Sequence, residues 1–320
     1  MFNPMKLISF ALFCSVSFSA AAEQKSVAIT QIVEHPALDS VRQGVKDELT
    51  EQGFVEGKNL AWQYESAQGN PTTAAQIARK FAGENPDVIV AIATPSAQTA
   101  AAAARNTAIV FSAVTDPVGA KLVKDLNKPG KNITGTTDML PVKKHLELIK
   151  RLVPGIKTVG TLYNPGEANS VTTVTMVEEI APELGMKVVK SAATKSSDVL
   201  TAARALVGKV DAIYLPTDNT VISAAEAVIK VGEQNNLPVI AADTDTVKRG
   251  AIAALGFNYY DVGRQTGAIV ALVLNGQQPG DIPVQGVDKT ELHINPGAAK
   301  RMGLVLPEGI LKEAKEVIAE

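Results

Sequence analysis

The sequence predicts an α/β protein of two similar, doubly wound parallel-sheet lobes, joined by three hinge segments and facing each other across a cleft. Three observations lead there. Short apolar runs rich in Val and Ile alternate with stretches of helical apolar spacing, as expected of parallel strands covered by helices on both faces. The pattern is also stated twice: Ser26–Thr30, the polar turn Gln31–Pro36 and the amphipathic stretch Ala37–Gln52 are matched by Lys157–Tyr163, Asn164–Asn169 and Ser170–Leu184. Likewise Pro86–Ser96 is echoed by Val210–Asn219, and Ala108–Asp116 by Pro238–Asp245. Finally, about 65 residues follow the last repeated strand, enough for the chain to cross back to the first lobe and return.

The expected strands are Val27–Thr30, Asn59–Tyr64, Val88–Ala93 and Ile109–Ser112, then Thr158–Tyr163, Lys187–Lys190, Ala212–Leu215, Val239–Ala241 and Ala251–Leu255. Between them, helical spacing covers Ala74–Gly83, Ser96–Arg105, Val142–Leu152, Val199–Gly208, Ile222–Gln234 and Val262–Leu274, with a last amphipathic segment at Pro307–Ile318. Gly53 and Gly185 follow the first helix of each half, as glycines at helix C-termini do. The hinge crossings are expected near Thr136–Leu140, Gly256–Tyr260 and Gln285–Lys289. The expected organisation is therefore a leader over 1–22, a first lobe of 23–137 plus about 258–286, and a second lobe of 138–257 plus about 287–320.

The leader reads as a secretory signal peptide. Lys6 supplies the positive start, Leu7–Ser19 the apolar stretch, and Ala20–Ala22 the small residues before cleavage. The apolar run is shorter than the roughly 20 residues a membrane span needs. Cleavage after about Ala22 and a periplasmic location follow as expectations. The single cysteine, Cys14, lies inside that leader. The remaining chain thus offers no disulfide, thiolate metal site or thiol nucleophile, and no metal or cofactor is expected. Lys and Arg number 31 against 33 Asp and Glu, with no basic block, which argues against a nucleic-acid partner.

Several segments carry a family resemblance: Thr115–Val123 with Asn127–Gly135, Val262–Gly267 with Asn275–Val284, and the ending Glu291–Pro307. In their order and spacing they resemble ABC-transporter substrate-binding proteins of the tryptophan-binding, TrpX-like type. The resemblance spans essentially the whole chain after the leader. It implies a periplasmic-binding-protein fold with three interdomain segments, and a cognate permease and ATPase encoded elsewhere. In some members it implies aromatic amino acids as ligands.

In open α/β sheets, ligands bind beyond the carboxyl ends of the strands. That rule selects Gln31, His35 and Pro36, then Thr94, Pro95, Ser96 and Ala97, then Thr115 in the first lobe. In the second it selects Asn164, Glu167, Asn169 and Ser170, then Thr217, Asp218 and Asn219, then Asp243. Tyr259 falls in a predicted crossing. Thr94 can cap the helix beginning at Ser96, with Pro95 in its first turn, and the free N–H groups there suit a carboxylate. Asp218 or Glu167 would take the ligand's ammonium through a charge-assisted hydrogen bond. The ordinary alternatives are helix capping for Thr94 and Asp218, a solvated turn at Asn164–Ser170, and a surface role for His35.

The sequence therefore points to a monomeric periplasmic solute-binding protein of an ABC importer, taking a hydrophobic or aromatic amino acid such as Trp, Phe or Tyr. An exported hydrolase lacks a G-x-S-x-G or H-E-x-x-H motif, and the three histidines are far apart. A transcription regulator would need a helix-turn-helix where the leader stands. A sugar or other nutrient stays the alternative within the binding class, although aromatics for ring stacking are only 4% of the chain.

Overall fold

The computed structural model describes residues 24–287 and 289–318. The expected signal peptide lies outside them. The first sheet is built from β1 (Lys25–Gln31), then α1 (Pro36–Glu51), β2 (Leu60–Ser66), α2 (Pro71–Glu84), β3 (Val88–Ile92), α3 (Thr94–Ala103), β4 (Ala108–Ser112) and β5 (Ile133–Thr137). The second unit follows with α4 (Val142–Leu152), β6 (Thr158–Tyr163), α5 (Ala168–Ile180), β7 (Lys187–Ala192), α6 (Val199–Arg204), β8 (Ala212–Leu215), α7 (Asn219–Ile222), α8 (Ala225–Asn235), β9 (Val239–Ala241), α9 (Asp245–Lys248) and β10 (Ala253–Gly256). The chain ends with α10 (Tyr259–Leu274), β11 (Gln285–Gly286), β12 (Glu291–Ile294), α11 (Pro296–Arg301), α12 (Ile310–Glu313) and β13 (Glu316–Val317).

Strand order is β11-β5-β4-β3-β1-β2 in one sheet and β13-β12-β10-β9-β8-β6-β7 in the other. Stripped of β11, β12 and β13, the two sheets have the same order, so the repetition in the sequence is a repetition of topology. All pairings are parallel except β10 with β12. The chain passes between the sheets three times: between β5 and α4, between β10 and α10, and between β11 and β12.

The return of α10 to the first sheet is written in glycine. It packs along α1 so closely that a Cβ on Gly263 would lie 2.1 Å from the Val41 carbonyl oxygen, and one on Gly44 2.2 Å from that of Tyr260. The pair buries Val41, Val45, Val262 and Ile269 against the sheet.

Four expectations need correction. β5 lies where only a lobe boundary was expected, because Thr134, Gly135 and Thr136 do not read as an apolar strand. Its hydroxyls are satisfied inside the lobe: Thr134 Oγ1 donates to the Ile282 carbonyl at 2.7 Å, and Thr136 Oγ1 sits 2.9 Å from Thr266 Oγ1. The expected helix Ile222–Gln234 is split into α7 and α8 by a turn at Ser223–Ala224. The stretch Ser170–Leu184 tightens into a 3₁₀ turn from Ala181, where Pro182 removes a helical donor. The last segment, Pro307–Ile318, is a short helix and an edge strand, with Lys315 and Ile318 donating to β12.

Replacing Gly263 by Ala should overpack the α1–α10 contact and cost about 1–3 kcal/mol. Urea unfolding of Gly263→Ala beside the unaltered protein checks this; an unchanged midpoint would mean the helices separate at little cost.

Candidate functional site

In each sheet the strand connections diverge at one point, between β1 and β3 in the first and between β6 and β8 in the second. Such switch points leave a crevice at the carboxyl ends of the strands, and here the two crevices face each other.

On the first-lobe side, Gln31 spends its amide on the Val33 carbonyl and Asp39, and accepts from Arg42, so it organises the loop. His35 precedes α1 and is buried, with no hydrogen-bond partner for either ring nitrogen. Burial lowers its pKa to about 3, the Arg249 charge acts in the same sense, and the Asn219 amide across the cleft opposes them. The ring is neutral at physiological pH. Pro36 opens α1 and faces solvent.

Helix α3 begins at Thr94, two residues before the expected start. Thr94 is therefore not the cap; Ala93 is, at φ 73° and ψ 157°, a region almost reserved for glycine. Pro95 occupies the first turn, and the buried Ala97 donates its N–H to Ala93. The N–H groups of Thr94 and Ser96 precede the first intrahelical bond. The Thr94 and Ser96 hydroxyl oxygens are buried and unpartnered.

On the second-lobe side, Glu167 acts as a clamp. Its Oε2 accepts from the Asn219 N–H at 3.2 Å and Nδ2 at 2.6 Å, and its Oε1 from the Thr220 N–H at 3.1 Å and Oγ1 at 2.7 Å. Asn164 Nδ2 and Asn169 Nδ2 add longer contacts. Asp218 caps α7 through the Val221 N–H at 2.7 Å, and its other oxygen accepts from Ser170 Oγ and the Asn164 N–H, both at 2.5 Å. Burial raises the Asp218 pKa to about 7, and the Glu167 charge adds to the rise. Asn169 donates to the Thr217 carbonyl, while its Oδ1 and the Thr217 hydroxyl have no partner. Asp243 accepts from the Thr246 N–H and hydroxyl.

The hinge completes the site. Asp138, in the first crossing, accepts from Thr115 Oγ1 at 3.0 Å and from the Tyr259 hydroxyl at 2.8 Å. Burial raises the pKa of Asp138 and Asp243 alike.

These groups line one cavity between the lobes. Of the residues the sequence singled out, His35, Thr115, Asn169, Thr217, Asp218, Asn219, Asp243 and Tyr259 line it. Pro95, Asn164, Glu167 and Asn219 line a larger groove in front. Gln31, Pro36, Thr94, Ser96, Ala97 and Ser170 line neither. The sequence reading missed Asp138 and the apolar wall of Ala37, Leu38, Ala113 and Ile222. Asp138 stood inside the predicted crossing Thr136–Leu140 and was the one acid there. No group of three metal-ligating side chains gathers among the described residues, and no described helix is long and apolar enough to cross a membrane.

Two repeated lobes, three crossings and a cavity lined from both lobes define a two-lobed solute-binding protein. Residues 26–318 match the family model described as ABC transporter substrate binding protein, and the chain belongs to that family. It is 41% identical over 282 residues to the tyrosine-binding protein of Clostridioides difficile, strain R20291, covering 88% of this chain and 82% of that one. Among solved structures, a conserved domain protein of Vibrio cholerae superposes with a TM-score of 0.91 at 50% identity, covering 92% of this chain and all of that one. A Streptococcus pneumoniae domain in complex with L-Trp gives 0.89 at 34% identity over the same shares. The ligand-free, open structure of a Clostridium difficile substrate-binding protein gives only 0.68, although its identity is 42%. Superposition here does not follow sequence.

Asp218, whose folded pKa lies above the unfolded one, binds its proton in the folded state before the unfolded chain does. Its contribution to stability is present below the ordinary aspartate range and is lost as pH rises towards 7. Asp218→Asn should therefore flatten the fall in stability between about pH 4 and pH 7. Denaturation of both proteins across that range checks it, and identical slopes would mean that Asp218 titrates normally.

Proposed function

We propose that this substrate-binding protein captures an aromatic amino acid, Trp, Tyr or Phe, in the interlobe cavity and delivers it to the permease of an ABC importer. The observation that carries the reading is the cavity itself. Both lobes and the hinge enclose it, and its surroundings divide by chemistry. At the start of α3, whose Pro95 lines the groove in front of the cavity, unpartnered hydroxyls and helix N–H groups at Thr94 and Ser96 suit a carboxylate. Buried aspartates elsewhere suit an ammonium. His35, Tyr259, Leu38 and Ile222 offer flat and apolar surface to a ring. Relatives named for tyrosine binding, or solved with L-Trp, support the same ligand class.

The protein works as a monomer in the periplasm, a location supported by the leader-like Lys6–Ala22. It binds without chemical conversion: the His35 nitrogens touch no nucleophile, and Asp218 is engaged as the cap of α7. A ligand held by both lobes favours the closed arrangement because it gains partners there.

Protein that has been unfolded and refolded to strip carried ligand should melt higher with L-Trp, L-Tyr or L-Phe, since a ligand of the folded state stabilises by mass action. A shift given only by sugars would move the specificity; silence with all twenty amino acids would sink the reading. Ser96→Ala should weaken binding by about 2- to 10-fold, the loss of one neutral hydrogen bond. Titration calorimetry reads this, and an unchanged affinity would take α3 out of the carboxylate site.

A further inference from the structure

Four buried or nearly buried carboxylates stand at the cleft, and they are not equally available to a ligand. An ionised carboxylate has about four lone-pair sites. Glu167 receives four close donors from the β8–α7 loop and two longer ones. It has nothing left for an ammonium. Asp218 receives three, all from its own lobe. Asp138 and Asp243 are different. Asp138 accepts one hydrogen bond on each oxygen, from Thr115 and Tyr259. Asp243 also accepts one on each, both from Thr246. No other described residue donates to either, and with each residue's own backbone N–H counted, each carboxylate still keeps an open acceptor position.

Both side chains are 3% exposed and both line the same cavity. The Tyr259 phenol feels both: after burial, its pKa is raised most by the charges of Asp138 and then Asp243. No lysine or arginine lines the cavity. Arg249 lowers the Asp243 pKa through space but holds Glu226 with two nitrogens and the Ile222 carbonyl with a third. His35 is neutral, and Asp245 lies outside the lining. Two buried carboxylates without a bound cation are costly to maintain. A second sign of a missing donor is independent of them: Asn169 Oδ1, on a side chain more than nine-tenths buried and lining this cavity, has no partner.

We infer that Asp138 and Asp243 form the seat for a ligand's primary ammonium, one carboxylate supplied by the hinge and the other by the second lobe. Asp218 and Glu167 shape the loops around it. The inference rests on the amino-acid reading above and deepens it, because it makes these two residues decide between an amine and a hydroxyl at the ligand's α-carbon. An ammonium seated there ties the first crossing to the loop after β9, so the group that is recognised also bridges hinge and lobe.

The test compares L-Trp and L-Tyr with their 2-hydroxy-acid analogues, which keep the ring and carboxylate and exchange the ammonium for a hydroxyl. Calorimetry on the full chain should show the amino acids binding at least about 30-fold tighter than the hydroxy acids, the scale of a charge-assisted bond. Asp138→Asn and Asp243→Asn should each lose about 10-fold or more for the amino acid while holding the hydroxy acid within about 3-fold. Retained hydroxy-acid binding shows that the variant is folded. If a variant does not fold, the preference of the unaltered protein decides alone, and equal affinity for amino and hydroxy acids overturns the seat. A preference that survives both substitutions, or collapses in Asp218→Asn instead, also overturns it. Should no aromatic amino acid bind, the functional reading fails separately, and tyramine and tryptamine become the probes. Amine binding abolished in both variants keeps the seat, and no amine binding ends it.

Discussion

Negative charge buried without a built-in counterion is the constraint from which the rest of this structure follows. Asp138, Asp218 and Asp243 surround one interlobe cavity whose lining has no lysine or arginine. Each is held by neutral donors: hydroxyls of Thr115, Tyr259, Ser170 and Thr246, and backbone N–H groups at helix starts. Neutral donors orient a carboxylate but do not cancel its charge. Burial then dominates, and the pKa of all three is raised. On the seat inferred above, a ligand's ammonium would supply the positive charge that the cavity lining lacks.

The same logic explains how the lobes meet. Among the described residues, the hydrogen bonds that join the lobes are at the hinge, where Asp138 binds Tyr259 and Thr244 binds the Phe257 carbonyl. Across the mouth of the cleft no ion pair joins them among those residues, and the nearest polar approach is that of the Asn219 side chain, which raises the His35 pKa, to the His35 ring. The loops are rigid within each lobe, through the Glu167 clamp on one side and the Gln31–Asp39–Arg42 network on the other. Their unspent polar atoms point into the gap. The two half-sites are built separately, each by bonds within its own lobe.

Much of this was legible in the sequence. The repeated strand–turn–helix pattern carries the common strand order, because an apolar run of Val and Ile between helical stretches has few other solutions. The crevice rule picked loops that line the interlobe cavity and groove from both sides, since it depends on topology alone. What stayed hidden depends on partners distant in sequence. β5 is polar because its threonines answer Ser112, Thr266 and the Ile282 carbonyl, contacts that exist only after α10 has returned. Thr94 reads as a cap, but strain at Ala93 moves the helix start forward and leaves its hydroxyl unspent. Glu167 reads as a ligand contact because nothing local shows that Asn219 and Thr220 will claim both its oxygens.

Asp138 shows why a hinge residue is hard to see from sequence and hard to replace in structure. It belongs to a connecting segment, so no periodicity marks it. Yet that segment leaves the first sheet beside the loop after β4 and runs beside the start of α10, which places its carboxylate between Thr115 and Tyr259. Both are donors, one from the first lobe's sheet and one from the second crossing. A residue that fastens two crossings to each other and lines the cavity responds to any change in the angle between lobes. The close α1–α10 contact, fixed by Gly44 and Gly263, holds Tyr259 on the first lobe and so sets where Asp138 can point. The helix pair that packs through these glycines also carries Ala37, Leu38 and Tyr259 to the cavity lining.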